Sequence, residues 1–351
     1  MIDRFRYEPM PSRVLFGRGR LDEIGEAVHA LGVKRVFVVS TTASAANEIT
    51  KRLQLHTAVF PHAVMHSPLE VTERALTLLD DFGADCLVSI GGGSAIGLGK
   101  ALALRTDLPQ VAVPTTYAGS EMTDILGETK AGTKTTQRNR KILPETVIYD
   151  VDLTLTLPPR LSATSGLNAV AHAVEALYAK DRNPIIELMA EEGIRSFAEA
   201  LPIIVEAPHD IDARSRAQYG AFLCGACLGA VSMALHHKLC HVLGGTFDLP
   251  HAETHAIVLP HATAYNAPAA PQAMAKIARA LGAESAALGL YQLGQRLGIP
   301  EGLKAIGMPG DGIDRVVAST LQNPYWNPRP LEAEGLRHCI VDAYDGSPPR
   351  A

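Results

Sequence analysis

The chain has 351 residues, of which 47% are hydrophobic and 20% charged. That balance excludes a disordered or fibrous chain and suits about two globular domains. A net charge of −5 speaks against nucleic acid or an acidic membrane as partner, so an anionic substrate needs a locally basic pocket.

Five cysteines, odd in number and widely spread, form no disulfide framework and point to a reducing cytoplasm. The opening MIDRFRYEP lacks the apolar centre of a signal peptide. Residues 21–31 carry a helical pattern, and residues 35–41 (RVFVVST) read as a buried parallel strand. Residues 71–82 form a second helix. The strand 86–90 (CLVSI) runs straight into a glycine cluster, and a third strand, 110–113 (QVAV), stops at Pro114. Residues 129–141 are polar and basic, a loop or a hairpin, and 147–149 make a last short strand. Strands alternating with helices predict a parallel sheet.

The texture changes at Pro158-Pro159. Residues 1–158 are read as an α/β dinucleotide-binding domain, and residues 159–351 as an all-helical catalytic domain. The apolar run 219–235 approaches membrane-spanning length. Its small residues and the histidines that follow favour a buried central helix. Cys224-x-x-Cys227, inside that run, is read as two small core residues, because no second cysteine pair completes a zinc site.

Two loops at strand ends carry the cofactor signals. Gly91, Gly92, Gly93 and Ser94 open a helix directly after a strand, where glycines let the backbone approach a phosphate and the helix N-terminus offers N–H groups. Ser94 is placed to cap that helix or bond a phosphate oxygen. Lys100, two turns on, is placed to reach a ribose or phosphate. The pattern is neither G-x-G-x-x-G nor a Walker loop. Thr115 and Thr116 follow the next strand, at the carboxyl edge where such sheets bind ligands, although a solvated loop reads much the same. Thr41 stands where many dinucleotide sites place an acid for the adenosine ribose, so either NADH or NADPH is accommodated.

The helical half carries the second set. Residues 159–178 place Asn168, His172 and Glu175 on one helix face, opposite an apolar stripe. A solvated face would show the same spacing. Residues 233–251 (MALHHKLCHVLGGTFDLPH) hold His236, His237, His241 and His251 with Lys238 beside them. His237 and His241 share a face at i, i+4 if the segment is helical, and Gly244-Gly245 are expected to end that helix. A polar helix end near the surface accounts for one or two histidines, and four favour a site that binds a metal, moves protons or holds an anion.

Four pieces in order, GGGS…GK, PTT…GSE, N-x-x-x-H with A-V-E, and H-x-x-x-H…P-H, resemble the iron-containing alcohol dehydrogenase superfamily over essentially the whole chain. The resemblance implies an N-terminal dinucleotide domain, a helical C-terminal domain and a cleft active site between them. It implies a homodimer. The superfamily's metal ligands, one Asp and three His, match Asn168, His172, His237 and His251, and His241 matches a histidine near the nicotinamide. Three departures stand out: Asn168 replaces the Asp, Lys238 a glycine, and Gly97 an acid. Loss of the carboxylate and gain of an ammonium oppose a divalent ion, so no metal is expected.

These departures, with His236-His237-Lys238 and Tyr325-Trp326-Asn327-Pro328-Arg329-Pro330, resemble the branch that reduces maleylacetate to 3-oxoadipate in aromatic-compound degradation. The implied substrate is a small dicarboxylate and the implied reductant NADH or NADPH. Lys238, a protonated histidine or Asn168 then takes the place of the ion at the developing enolate. His172 and His237 are expected on the substrate and His241 near the nicotinamide. The Asn327-Pro328 pair is read as structural, and Arg329 either orders the domain or holds a carboxylate. The rivals are a metal-dependent alcohol or glycerol dehydrogenase, a non-redox lyase of the dehydroquinate synthase kind, and a binding protein that has lost catalysis.

Overall fold

A computed structural model describes residues 4–10, 12–64, 68–130 and 133–350. By contacts the chain divides into a unit from Pro9 to Leu157 and a second that begins at Pro158 and includes the N-terminal segment through Glu8. That segment departs from the expected grouping of residues 1–158. Asn183, on the helical side, reaches the Arg6 carbonyl at 3.5 Å.

The first unit contains β1 (Arg13–Gly17), α1 (Ile24–His29), β2 (Arg35–Ser40), α2 (Ala43–Thr50), β3 (His56–Phe60), α3 (Leu69–Phe82), β4 (Cys86–Gly91), α4 (Gly93–Thr106), β5 (Gln110–Pro114), β6 (Ile125–Lys130), β7 (Thr133–Arg138) and β8 (Thr146–Asp150). Six strands form a sheet in the order β1-β8-β5-β4-β2-β3, and every pairing in it is parallel. The stretch left open between loop and hairpin is an antiparallel hairpin of β6 and β7. Strands β1 and β3 and helix α2 add to the expected elements.

Both faces of the sheet are covered, which is why its strands read as unbroken apolar runs. Val36, Val38, Val88, Ile90 and Val111 pack with Ile24, Val28, Ala46 and Ile49 on one face. Phe37, Val39 and Leu87 pack with Ala75, Leu79, Leu98 and Leu102 on the other. Each of these Val, Leu, Ile and Phe side chains contributes about 1.5–3 kcal/mol on full burial. The chain leaves β2 for β3 on one side and returns through α3 to β4 on the other. The sheet therefore switches direction between β2 and β4, the position where open α/β sheets bind ligands at their carboxyl edge.

The second unit is helical: α5 (Pro159–Tyr178), α6 (Pro184–Glu206), α7 (Ile211–Ala230), α8 (Leu235–Phe247), α9 (His251–Asn266), α10 (Pro271–Leu281), α11 (Ala286–Arg296), α12 (Ile313–Gln322) and α13 (Ala333–Asp345). Helix α5 is its centre, packed by α6, α7 and α9. A Cβ on Gly166 would stand 2.8 Å from Leu201, so the glycine sets how closely α5 and α6 approach. Because α5 is enclosed, Asn168, His172 and Glu175 lie in the interior and form no solvated face.

Helix α8 runs through Gly244-Gly245 to Phe247 and ends at Asp248 in the left-handed conformation, φ 53°. The expected stop at the glycines is corrected. Two helical glycines cost about 1 kcal/mol each relative to alanine. Packing of Leu243 and Phe247 in the core of this unit offsets that cost. The apolar run 219–235 is broken between α7 and α8, which meet at 93°. Among the described residues, no single helix is long and apolar enough to cross a membrane. Cys224 and Cys227 are buried free thiols of α7.

Candidate active site

In the α/β unit, three expected loops meet at one edge. Parallel pairing sets Ser40 of β2 beside Ile90 of β4, and Gly91 beside Pro114 of β5. Thr41, residues 91–94 and Thr115-Thr116 therefore leave adjacent strand ends on the same side. Gly91 takes φ +141°, a turn that L side chains resist. A Cβ on Gly92 would stand 2.8 Å from the Thr116 side chain, so the two loops touch there. Gly93 is different, because a Cβ there would meet nothing within 4 Å. It is exposed at the first turn of α4, where free N–H groups and the helix dipole favour an anion.

Two expectations at this edge change. Gly92 is the N-cap of α4 and Ser94 lies inside the helix, so Ser94 does not cap it. Lys100 is fully buried, and its ammonium bonds the Ser120 carbonyl, Thr123 Oγ1 at 2.9 Å and the Ile125 carbonyl at 3.0 Å. Burial pulls its pKa down to about 7, with Glu121 and Asp124 opposing. Its donors are spent bracing the segment after β5, which leaves none for a ribose or phosphate. Thr41 is exposed, and Thr42 caps α2 through its hydroxyl.

In the helical unit, the site is built on one buried carboxylate. Glu175 Oε1 accepts from the His236 backbone N–H at 2.7 Å, and Oε2 accepts from Ala234 N–H at 2.8 Å and His237 Nδ1 at 2.7 Å. Glu175 thus holds the first turn of α8, whose leading N–H groups have no helical partner. It also fixes the His237 tautomer with hydrogen on Nδ1, leaving Nε2 as the second functional nitrogen. His237 and His172 stack with ring centroids 5.1 Å apart. Burial pushes the His172 pKa well below its usual value, aided by like charge from His237 and His251, so His172 is neutral near pH 7.

Asn168 Oδ1, His172 Nδ1 and His237 Nε2 are buried without a hydrogen-bond partner among the described residues. Each such atom costs about 1–3 kcal/mol if left unsatisfied, so a cluster of three marks a place where a polar ligand is received. The structure therefore brings Asn168, His172 and His237 together. His251 opens α9, its ring 4.3 Å from that of His255, and His255 lies 5.1 Å from His237.

Lys238 and His241 converge on Tyr325. The Lys238 ammonium lies 5.6 Å from the Tyr325 ring centre, and His241 Nδ1 bonds the Tyr325 hydroxyl at 3.0 Å. Partial burial lowers the Lys238 pKa with no carboxylate opposing, and no described residue forms an ion pair with it. Asn327 accepts from Leu235 N–H at 3.3 Å and exchanges amide hydrogen bonds with Asn266. It ties the start of α8 to the end of α9, a structural task. Arg329 donates to the Tyr265 carbonyl at 3.0 Å and lies over its ring at 4.4 Å. These contacts give Arg329 a structural task as well.

The sequence reading missed Glu175 as the organising group, although the A-V-E beside His172 was its signal. It missed His255, whose signal was the i, i+4 repeat after His251. Tyr325 carries no sequence signal beyond its place in the Tyr325-Trp326-Asn327-Pro328-Arg329-Pro330 motif.

Comparison with known proteins agrees with this geometry. Residues 11–151 match the family described as iron-containing alcohol dehydrogenase, and residues 162–344 match its C-terminal family. A maleylacetate reductase of Burkholderia cepacia is 52% identical, covering 99% of this chain and 100% of its own. The crystal structure of a maleylacetate reductase from Agrobacterium tumefaciens superposes with a TM-score of 0.95 at 51% identity, over 99% of this chain and 100% of that one. An iron-containing alcohol dehydrogenase from Corynebacterium glutamicum superposes with a TM-score of 0.93 at 42% identity, over 98% of each chain. The chain belongs to the iron-containing alcohol dehydrogenase family and, within it, groups with the maleylacetate reductases.

Proposed function

We propose that this protein reduces the carbon–carbon double bond of maleylacetate with NADH or NADPH, giving 3-oxoadipate, and does so without a metal ion. The observation that carries the reading is a neutral amide, Asn168, where a metal site of this family needs a carboxylate, with the cation Lys238 following His237 in the chain. The donor set at the matched positions is one amide and three imidazoles, with no anionic ligand. Among the described residues, the His, Cys, Asp and Glu atoms that converge within 4.8 Å are those of His236, Cys240 and His255, and not those of His172, His237 and His251. A divalent cation finds no anionic ligand and no converged ligand set there, so the residues do not fit iron.

The chemistry then rests on side chains. A reduced nicotinamide, when bound, would supply hydride to the alkene carbon remote from the ketone. Negative charge would then develop on the ketone oxygen as an enolate, and a proton must be delivered to the carbon beside the ketone. Lys238 is assigned to the developing oxygen charge or a substrate carboxylate, and Asn168 and neutral His172 to hydrogen bonding the substrate. His237 is assigned to proton delivery through Nε2, with Glu175 holding Nδ1 as the carboxylate of a catalytic triad does. His241, bound to Tyr325, is kept for the nicotinamide side and His251 for substrate binding.

The cofactor half of the reading places the pyrophosphate on Gly91, Gly92, Gly93 and Ser94 at the start of α4, with Thr115 and Thr116 beside it and Thr41 at the adenosine ribose. Thr41 carries no charge to repel a 2′-phosphate. A homodimer in the cytoplasm completes the proposal, in keeping with five buried free thiols. Absorbance of added NADH or NADPH in the presence of maleylacetate tests the activity directly. Steady oxidation of the cofactor supports it, and none with either cofactor overturns it.

A further inference from the structure

Behind the site just described lies a group that the proposed reaction does not use. His236 and Cys240 share a face of α8 at i, i+4, and His255 lies on α9. His236 Nε2 stands 3.0 Å from His255 Nδ1 and 3.7 Å from Cys240 Sγ. All three ligand atoms lie within 4.8 Å of one another. The residues are 0%, 1% and 1% exposed, in the order His236, Cys240, His255. An ion about 2.0 Å from nitrogen and about 2.3 Å from sulfur holds its ligand atoms roughly 3.3–3.8 Å apart. The His236–His255 and His236–Cys240 spacings lie within a few tenths of an ångström of that range.

As a hydrogen-bond network the group is poorly satisfied. His236 Nε2 serves both neighbours, while His236 Nδ1 and His255 Nε2 are buried without partners among the described residues. A core with no further task fills such space with apolar side chains at less cost. The backbone of His236 is already fixed by Glu175 at 2.7 Å, so the site is held rigid from outside.

We propose that His236, Cys240 and His255 form a binding site for a thiophilic monovalent cation, Cu⁺, distinct from the positions that match the family's iron ligands. Two imidazoles and a thiolate in a closed, three-ligand arrangement suit Cu⁺, whereas Zn²⁺ wants a fourth ligand or an open water position. Cu⁺ and one thiolate cancel, so the ion and its own ligands carry no net charge, while the nearby Glu175 carboxylate is already held by three N–H donors. On binding, the Cys240 S–H gives its proton to solvent as the sulfur–copper bond forms, and no electron is transferred.

The test is an anaerobic titration of the full chain with Cu⁺ against a competing Cu⁺ chelator, following retained copper and released protons. One equivalent should be held per chain with release of one proton. Cys240→Ser and His255→Gln should each weaken retention at least tenfold. Cys227→Ser, which removes half of the Cys224–Cys227 pair on α7, should leave it unchanged. A parallel titration with Zn²⁺ should show weaker retention. The proposal fails if no equivalent is held, if Cys240→Ser retains copper like the parent, if Cys227→Ser is the variant that loses it, or if Zn²⁺ is held more tightly. Copper binding needs no substrate, so its failure is separate from failure of the maleylacetate reading.

Discussion

Glu175 and His237 are joined by a hydrogen bond of 2.7 Å between Oε2 and Nδ1, across 62 residues of sequence and with both side chains almost wholly buried. Because the same carboxylate takes two backbone N–H groups, it acts only as an acceptor, and the hydrogen must be on Nδ1. The pairing therefore decides which nitrogen of His237 exchanges protons. Glu175→Gln keeps the oxygen that accepts from the His236 N–H and turns an amide NH2 toward the His237 ring and the Ala234 N–H. The expected outcome is a fall in kcat of about 10²-fold or more with a displaced pH–rate profile, while the variant remains folded. Steady-state kinetics across pH check this, and an unchanged profile removes Glu175 from the mechanism.

Lys238 is a cation without a carboxylate partner among the described residues. Lys238→Ala should lower kcat/KM by about 10²–10³-fold, the usual effect of losing one donor to developing oxygen charge. If the ammonium serves the enolate, the loss appears in kcat, and if it serves a substrate carboxylate, in KM. Turnover and KM equal to the parent's would count against both roles.

Thr41 is exposed at the end of β2, so a substitution there acts on the ligand and not on the core. Thr41→Asp should lower the NADPH to NADH ratio of kcat/KM at least tenfold, about 1.4 kcal/mol, by setting a carboxylate against the 2′-phosphate. Assays with each cofactor decide it, and an unaltered ratio would move the adenosine ribose away from this edge.

His261 is buried in α9, and burial lowers its pKa to about 4. In the folded protein it stays neutral through a window where the unfolded chain, with an ordinary histidine, takes up a proton. Between about pH 4 and 6.5 the unfolded state therefore binds more protons, and stability falls as pH falls through that window. The full difference amounts to about 3 kcal/mol. His261→Gln should remove this component: thermal or urea unfolding at pH 7.5 and pH 4.5 should show a smaller acid loss in the variant. Equal acid losses would mean that His261 is protonated in the native state.

Much of this was legible because it is local. Apolar runs at β2, β4 and β5 announce strands covered on both faces, and the glycines after β4 announce a tight strand–helix turn. Strands β1 and β3 were harder, since Arg13–Gly17 and His56–Phe60 are sheet edges with mixed burial and give a weak pattern. Helix α8 outran its glycines because tertiary packing of Leu243 and Phe247 overrides propensity. In the site, histidine spacing on α8 could be read directly. The bond from Glu175 to His237 could not, because a contact across 62 residues leaves no periodic trace. Lys100 misled for the same reason: its place near a glycine-rich turn suggests a ligand, and only the fold reveals the three acceptors that claim it.

The central claim is that fixed side chains do here what an ion does elsewhere in the family. It is tested most directly by measuring iron and zinc content and maleylacetate-dependent NADH or NADPH oxidation on the same chelator-treated sample. The account predicts undiminished turnover at metal contents far below one per chain. Activity that vanishes with the chelator, and returns with one equivalent of iron or zinc, would contradict it.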